Sequence, residues 1–411
     1  MIRDEVQRYR WTILAVGSFS AAAFAMFRMG LPSLGPELRD YYGLSLGQVG
    51  LVFTTVAIGV AVGLVPWGIL TDEIGERPVL AIGLASFSAT LVLTAFAPSF
   101  EWLLAGLFLT GVMGASGTGA SGRAVMAWFA VTERGTALGV RQMAIPIGGA
   151  IGSLTLPLIA GVDGIKAAFL VVAGVGLTAA LTAAVWMRDP PVSGETDADT
   201  DQPMTDSRQW RLGIASALLG VCQSAALGFF VLFLHDERGL AVGAAAVCLA
   251  LVLLLGAVGR IVSGRLSDEE GVRIPLLRTI ALVMAILFIA TAILSGAPGV
   301  VLYPVLIAAG VVALSWNALA FTAAAEIAGL TRAGTAMGLQ NTIVTVGAIF
   351  APVAFGFLVE ATSYPVGFGA VALAPVGAFA LLRTLQDDEA ERARELRGGS
   401  QPSTKPTEAA A

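Results

Sequence analysis

The sequence predicts an all-α membrane protein of twelve transmembrane helices arranged as two pseudo-symmetric six-helix bundles, and three observations carry that prediction. The 411 residues are 56% hydrophobic and only 13% charged, with a mean hydropathy of +0.82, whereas soluble domains carry about 25% charged residues. Apolar runs of about 20 residues, the length that crosses a bilayer core, recur twelve times. Two short patterns also recur at nearly the same offset on either side of the one long polar gap.

The runs lie at 12–36, 47–70, 78–97, 102–129, 136–161, 165–187, 211–235, 241–265, 275–296, 299–327, 334–359 and 364–384, numbered here as spans 1 to 12, with tight seams after spans 5 and 9. The first run is too long for the apolar part of a signal peptide and lacks a cleavage-like end, so no separate signal is expected. The gap 188–210, containing "SGETDADTD", reads as a flexible acidic linker between an N-terminal bundle (1–187) and a C-terminal bundle (211–384). The tail, 385–411, opens with a charged helical stretch, and "GGSQPSTKPTEAAA" reads as disordered. Cys222 and Cys248 both lie in apolar runs, which argues against a disulfide framework.

Basic residues set the orientation. With the N-terminus inside, inner segments hold Arg3, Arg8, Arg10, Arg77, Arg134, Arg188, Arg208, Arg211, Arg265, Arg273, Arg278, Arg332, Arg383, Arg392, Arg394, Arg397 and Lys405, against Arg39, Lys166 and Arg238 outside. That bias places both termini in the cytoplasm. Trp11, Trp67, Trp102, Trp128, Trp186 and Trp210 sit near span ends, as an interfacial belt requires, and Trp316 alone lies deep in a span.

The stretches "GILTDEIGERP" (68–78) and "GRLSDEEGVRI" (264–274) share G-x-x-x-D-x-x-G-x-R, as Gly68, Asp72, Gly75, Arg77 and Gly264, Asp268, Gly271, Arg273, at an offset of 196. "RGTALG" (134–139) and "AGTAMG" (333–338) repeat at an offset of 199. Two independent matches at nearly one offset indicate a duplicated six-helix half.

Over residues 8 to 385 the sequence resembles the major facilitator superfamily, whose signature stands between spans 2 and 3 and is copied between spans 8 and 9. The resemblance implies that superfamily's fold, transport by alternating access, and a gating and structural role for the motif residues. Glu76 stands where the family usually has a basic residue, a departure expected to loosen the latch at that end.

Four arginines remain inside spans: Arg28, Arg123, Arg141 and Arg260. An arginine at the bilayer centre costs about 2.5–3.5 kcal/mol on insertion scales, so each should face a partner or a watery cavity. The one acid within a span is Glu326, near the inner end of span 10, expected to act as a latch or, failing that, to carry a proton. At 1.5 Å per residue, Arg28 lies roughly 25 Å from Trp11, too deep to escape easily. Arg141 is shallower and can snorkel to the inner face. The duplication supports a central site. Adding 196 to Arg28 gives Ser224, beside Gln223, and adding 199 to Arg141 and Gln142 gives Gln340 and Asn341. The candidate substrate residues are therefore Arg28, Arg260, Arg123, Arg141, Gln142, Gln223, Trp316, Asn317 and Asn341.

Several unpaired guanidinium groups make a positive cavity whose fork geometry matches carboxylate, nitrate or phosphate. Arg260, four residues before the motif glycine, resembles the arginine with which monocarboxylate and oxalate/formate carriers, an organic-anion branch, hold a substrate carboxylate. The span-11 lysine of those oxalate carriers is absent, replaced by Gln340 and Asn341. "GVRQMAIPIGG" resembles branches near cyanate- and nitrate-type carriers. The expected function is secondary transport of a small anion, an organic carboxylate first, with an inorganic-anion carrier and a drug or metabolite exporter as alternatives. A sensor or lipid-handling protein without solute flux is the reading from another class.

A co-transported proton or an exchanged anion is the expected partner of transport. His235, the single histidine, is expected to be a solvated loop residue. With no P-loop, no histidine cluster and no nucleophile–His–acid set, the chain is expected to be no enzyme and to need no cofactor or metal. The remaining expectations are a monomer in the plasma-membrane bilayer and no nucleic-acid partner.

Overall fold

A computed structural model describes residues 2–44, 46–188, 203–240, 242–271 and 273–398. Their regular structure is helical: α1 (Ile2–Gly30), α2 (Gly35–Tyr42), α3 (Leu46–Ile74), α4 (Glu76–Ala95), α5 (Phe100–Gly114), α6 (Ser116–Trp128), α7 (Arg134–Trp186), α8 (Ser207–Leu232), α9 (Val242–Glu270), α10 (Ile274–Leu294), α11 (Gly299–Ser315), α12 (Asn317–Ala328), α13 (Ala333–Ala361) and α14 (Tyr364–Gly398). Eleven continuous segments among these are long and apolar enough to cross a membrane. One of them, Val131–Trp186, contains two spans joined at Gly164, so all twelve expected spans are present.

Gly164 adopts φ 82° and ψ 168°, a region open almost only to glycine, and turns the chain at the expected seam between spans 5 and 6. Spans 4 and 10 are each interrupted. Ala115 separates α5 from α6, and Trp316 separates α11 from α12. Asp206 caps α8, its side chain accepting from the Arg208 N–H at 2.8 Å. Most of the expected linker (residues 189–202) and the end of the tail (residues 399–411) lie outside the described residues. Helix α14 continues to Gly398, as the charged start of the tail suggests.

The halves pack separate cores. One centres on Phe27, Phe87 and Phe169, and the other on Phe230, Phe233, Phe288 and Phe368. A further cluster straddles the halves: Leu14, Val125, Met126, Phe129 and Leu138 meet Phe321, Ala325, Ala333 and Met337. It lies beside the two duplicated motifs. The outer face is strongly apolar, with Leu93, Leu154, Leu158, Val162, Ile293 and Val300 each more than 70% exposed. Water penalises such a surface and hydrocarbon does not, so the composition of the outside makes this a multi-pass membrane protein.

Gly164 and Gly174 should respond oppositely to alanine, since neither would meet a neighbouring atom with an added Cβ. Gly164→Ala should lose about 1–3 kcal/mol to backbone strain. Gly174→Ala, inside a regular helix, should gain about 0.5–1 kcal/mol. Thermal unfolding of the purified protein in detergent checks the two signs.

Candidate functional site

A cavity of about 350 Å³ lies between the halves, bounded by α1, α3, α6, α7, α8, α9, α12, α13 and the Trp316 junction. Seven of the nine expected substrate residues line it: Arg28, Gln142, Gln223, Arg260, Trp316, Asn317 and Asn341. Ser224, the repeat mate of Arg28, lines it as well. No aspartate, glutamate or histidine is among the described lining residues.

The two cavity arginines differ. Arg28 is exposed into the cavity and has no hydrogen-bond or ion-pair partner among the described residues. Arg260 is 7% exposed; its Nε donates to the Leu314 carbonyl at 2.9 Å and its Nη1 to the Gln142 carbonyl at 2.9 Å. These carbonyls supply dipoles but no negative charge. Beside them, the Gln223 carbonyl oxygen accepts from Trp316 Nε1 at 3.1 Å and from Asn317 Nδ2 at 3.2 Å, and Asn317 Nδ2 also donates to the Leu314 carbonyl at 3.4 Å. With its oxygen so occupied, Gln223 presents its amide N–H groups as the remaining polar face. The break at Trp316 thus places a buried indole and an amide around one glutamine.

Two expected cavity arginines lie elsewhere. Arg123 is not without a counter-charge: its Nη1 meets Glu76 Oε1 at 2.6 Å, and its Nε lies 3.1 Å from Asp72 Oδ1 and donates to the Leu330 carbonyl at 3.3 Å. Arg141 is fully buried and does not snorkel. Its Nε donates to Ser121 Oγ at 2.9 Å, its Nη2 donates to the Thr118 carbonyl, and its Nη1 has no partner. Neither lines the cavity.

The duplicated motifs dock across the halves onto the second repeated pattern. Asp72 accepts from Gly334 N, Thr335 N and Thr335 Oγ1 at 2.8, 2.7 and 2.6 Å. Asp268 accepts from Gly135 N, Thr136 N and Thr136 Oγ1 at 2.9, 2.7 and 2.8 Å. Each carboxylate therefore caps the first turn of a helix in the opposite half, where free N–H groups and the positive end of the helix dipole await an anion. "RGTALG" and "AGTAMG" are the receiving surfaces, a role their sequence alone did not reveal.

Gly68 and Gly264 let these contacts form. A Cβ on Gly68 would collide with the Gly334 carbonyl, and one on Gly264 with the Gly135 carbonyl. Gly75 and Gly271 take φ of 86° and 67°, turning the chain out of α3 and α9.

The motif arginines have diverged. Arg273 binds Asp268 at 2.7 Å, Glu326 at 3.2 Å and the Val131 carbonyl across the interface at 2.8 Å. Burial lowers its pKa, but the bonds and charges of Glu326 and Asp268 outweigh that and hold it above the ordinary arginine value. Arg77 instead donates to the Ala184 carbonyl of its own half at 2.8 Å. Its place is taken by Glu76, only 3% exposed, which pairs with Arg123. Glu76 is thus no loosened latch but one with its polarity exchanged: acid on the loop and base on α6, against base on the loop and acid on α12.

Hydrogen bonds that cross the halves include, besides those at the motif end, Arg260–Gln142 and Thr342–Ala61 midway along the helices. His235 lies in the turn after α8, its Nδ1 2.8 Å from the Leu240 carbonyl.

Two repeated helical halves, locked together at one end beside a shared cavity and jacketed in apolar side chains, define a membrane carrier. The sequence model of the Major Facilitator Superfamily matches residues 17–352, and the chain belongs to that superfamily of transporters. An uncharacterised MFS-type transporter of Mycobacterium tuberculosis is 33% identical over 377 residues, covering 91% of this chain and 84% of the relative. "Probable sulfoacetate transporter SauU" of Cupriavidus necator is 29% identical over 383 residues, covering 86% and 89%. The crystal structure of the MFS transporter FucP in its outward conformation superposes with a TM-score of 0.73 at 17% identity, covering 90% of this chain and 98% of FucP.

Breaking a buried ion pair costs about 3–5 kcal/mol where a charge is left alone, and less here because Arg123 keeps 18% exposure and a second partner, Asp72, at 3.1 Å. Glu76→Gln should lower the thermal midpoint, and the charge-reversed double variant Glu76→Arg/Arg123→Glu should recover less than half of the loss, because a glutamate at 123 would face Asp72, which lies 3.1 Å from Arg123.

Proposed function

We propose that this transporter carries a small organic anion, with a carboxylate as the preferred group, held between Arg28 and Arg260. The observation that carries the reading is the charge of the cavity: two guanidinium groups line it and no acidic side chain among its described lining residues answers them. A permanent cation near the bilayer centre is costly unless compensated, and a guest anion supplies the compensation. The fork of each guanidinium suits a planar oxyanion. The Gln223 and Asn317 amides and Thr345 offer hydroxyl-scale partners for the rest of a polar solute. A cavity of about 350 Å³ is of the size that takes small metabolites. One relative is named for sulfoacetate, which bears a sulfonate and a carboxylate.

The bias of arginine and lysine supports a cytoplasmic motif end in the plasma membrane; in that orientation the conformation with the motif end locked is the one that receives solute from outside. Asp72 and Asp268 lock it and must release Thr335 and Thr136 for the solute to leave inward. One chain supplies both halves of the cavity, in keeping with a working monomer.

Arg28→Gln and Arg260→Gln test the reading. Hydrogen bonds to charged groups contribute about 1.5–3 kcal/mol, so each should weaken binding of the stabilising anion by roughly 10- to 150-fold, with Arg28→Lys retaining part of it. Thermal shift and calorimetry against acetate, pyruvate, sulfoacetate, nitrate and phosphate give the measurement. Neutral or cationic solutes that stabilise both variants as well as the unaltered protein would overturn the anion assignment.

A further inference from the structure

We propose that the seam where α1, α6 and α7 meet binds a monatomic anion, chloride, held by Arg141 Nη1 and Ser18 Oγ apart from the transport cavity. The proposal stands whether or not the transported solute is an anion.

Arg141 is 0% exposed, and its side chain runs along α6. Its Nε donates to Ser121 Oγ at 2.9 Å and its Nη2, a turn further on, to the Thr118 carbonyl. Both partners are neutral, and Nη1 has none among the described residues. Gly17 of α1 packs on Ser121, where an added Cβ would lie 3.4 Å from the Ser121 carbonyl oxygen. The next residue, Ser18, also has a buried Oγ without a partner. Ala22 lies against Gly148 and Met26 against Gly152, so α1 and α7 run in parallel with Ser18 level with Ala144, one turn beyond Arg141. The guanidinium, reaching toward Thr118, extends in that direction. Thr118 lines the transport cavity, so one residue separates the two sites.

The duplication supplies a comparison within the chain. Arg141 corresponds to Gln340 at an offset of 199, and Ser18 to Ser216 at 198. Gln340 and Ser216 are 1% and 0% exposed, and Gln340 Nε2, Gln340 Oε1 and Ser216 Oγ have no partners among the described residues. Gly213, one turn before Ser216, lies against Gln340 Oε1. Buried polar atoms left unsatisfied by protein call for water or an ion. The donor sets separate the two cases. An amide offers a donor and an acceptor together, which water satisfies. A guanidinium offers donors alone and keeps its charge, so its guest must accept and be negative. The first half takes an anion where the second takes water. Enclosure among three packed helices limits that anion to a single atom.

Chloride and bromide are the probes, with gluconate as the large anion that the site excludes. Replacing gluconate by chloride should raise the thermal midpoint of the full-length protein in detergent by about 2 °C or more. Crystals grown in bromide should give an anomalous peak beside Arg141. Arg141→Gln, which copies Gln340, should abolish both responses. Ser18→Ala should weaken chloride binding by roughly 2- to 10-fold, and it serves alone if Arg141→Gln fails to fold. Arg28→Gln/Arg260→Gln should keep both responses. Absence of the bromide peak beside Arg141 overturns the proposal, whatever the midpoint does. A chloride response that survives Arg141→Gln but is lost in Arg28→Gln/Arg260→Gln puts the halide in the transport cavity. That result also overturns the proposal and leaves the anion reading of the cavity intact.

Discussion

A guanidinium held at the depth of hydrocarbon must be answered by a carboxylate, by protein oxygens or by a guest, and the four intramembrane arginines divide along those lines. Arg123 has Glu76 and Asp72. Arg141 has a hydroxyl and a carbonyl, which satisfy two of its nitrogens and leave its charge unneutralised. Arg260 has two carbonyls and a place on the cavity wall. Among the described residues, Arg28 has the cavity alone. The order runs from the locked end to the centre, from charges that hold the halves together to charges that wait for something else.

The gate obeys the same electrostatics in duplicate. Each motif aspartate is one half's anion placed on the other half's helix N-terminus, so the two locks are related by the duplication and close together. The accessory ion pairs preserve the symmetry of function while reversing that of charge. On one side the loop supplies acid and α6 supplies arginine. On the other the loop supplies arginine and α12 supplies acid. Glu76 and Arg273 occupy neighbouring, not equivalent, positions in the two motif copies, so each half builds its pair from residues of its own.

Spans, seams and the repeat were legible in the sequence because each depends on local chemistry: apolar length, a glycine at the turn, tryptophan and arginine at the interfaces. Most of the cavity was legible too, since Gln223, Asn317 and Asn341 are polar residues on otherwise apolar faces. Arg123 was misplaced for a physical reason. Its partners, Asp72 and Glu76, are 51 and 47 residues away and were assigned to the motif loop, and no local pattern shows that α6 leans over that loop. Arg141 faces inward among small residues of α6 rather than toward the cavity or the interface, a rotation of the helix that spacing does not fix. The breaks at Ala115 and Trp316 were hidden for a similar reason: hydropathy runs through them without interruption, and the backbone there departs only slightly from helical angles.

Arg260 links the site to the gate. It belongs to α9, lines the cavity, and donates across the halves to the Gln142 carbonyl on α7. One turn before Gln142, Gly139 lies so close to α9 that an added Cβ would meet the Arg260 carbonyl at 2.8 Å. Separating α7 from α9, as opening the motif end requires, takes the Gln142 carbonyl away from Arg260. A hydrogen bond to a charged donor contributes about 1.5–3 kcal/mol, and that loss opposes opening for as long as nothing replaces the acceptor. Under the proposed function, an anion on Arg260 replaces it. A ligand shifts a conformational equilibrium only by its differential interaction with the two states, and under that proposal the difference has a structural source: the guest would satisfy the same guanidinium whose other acceptor is lost when the gate opens.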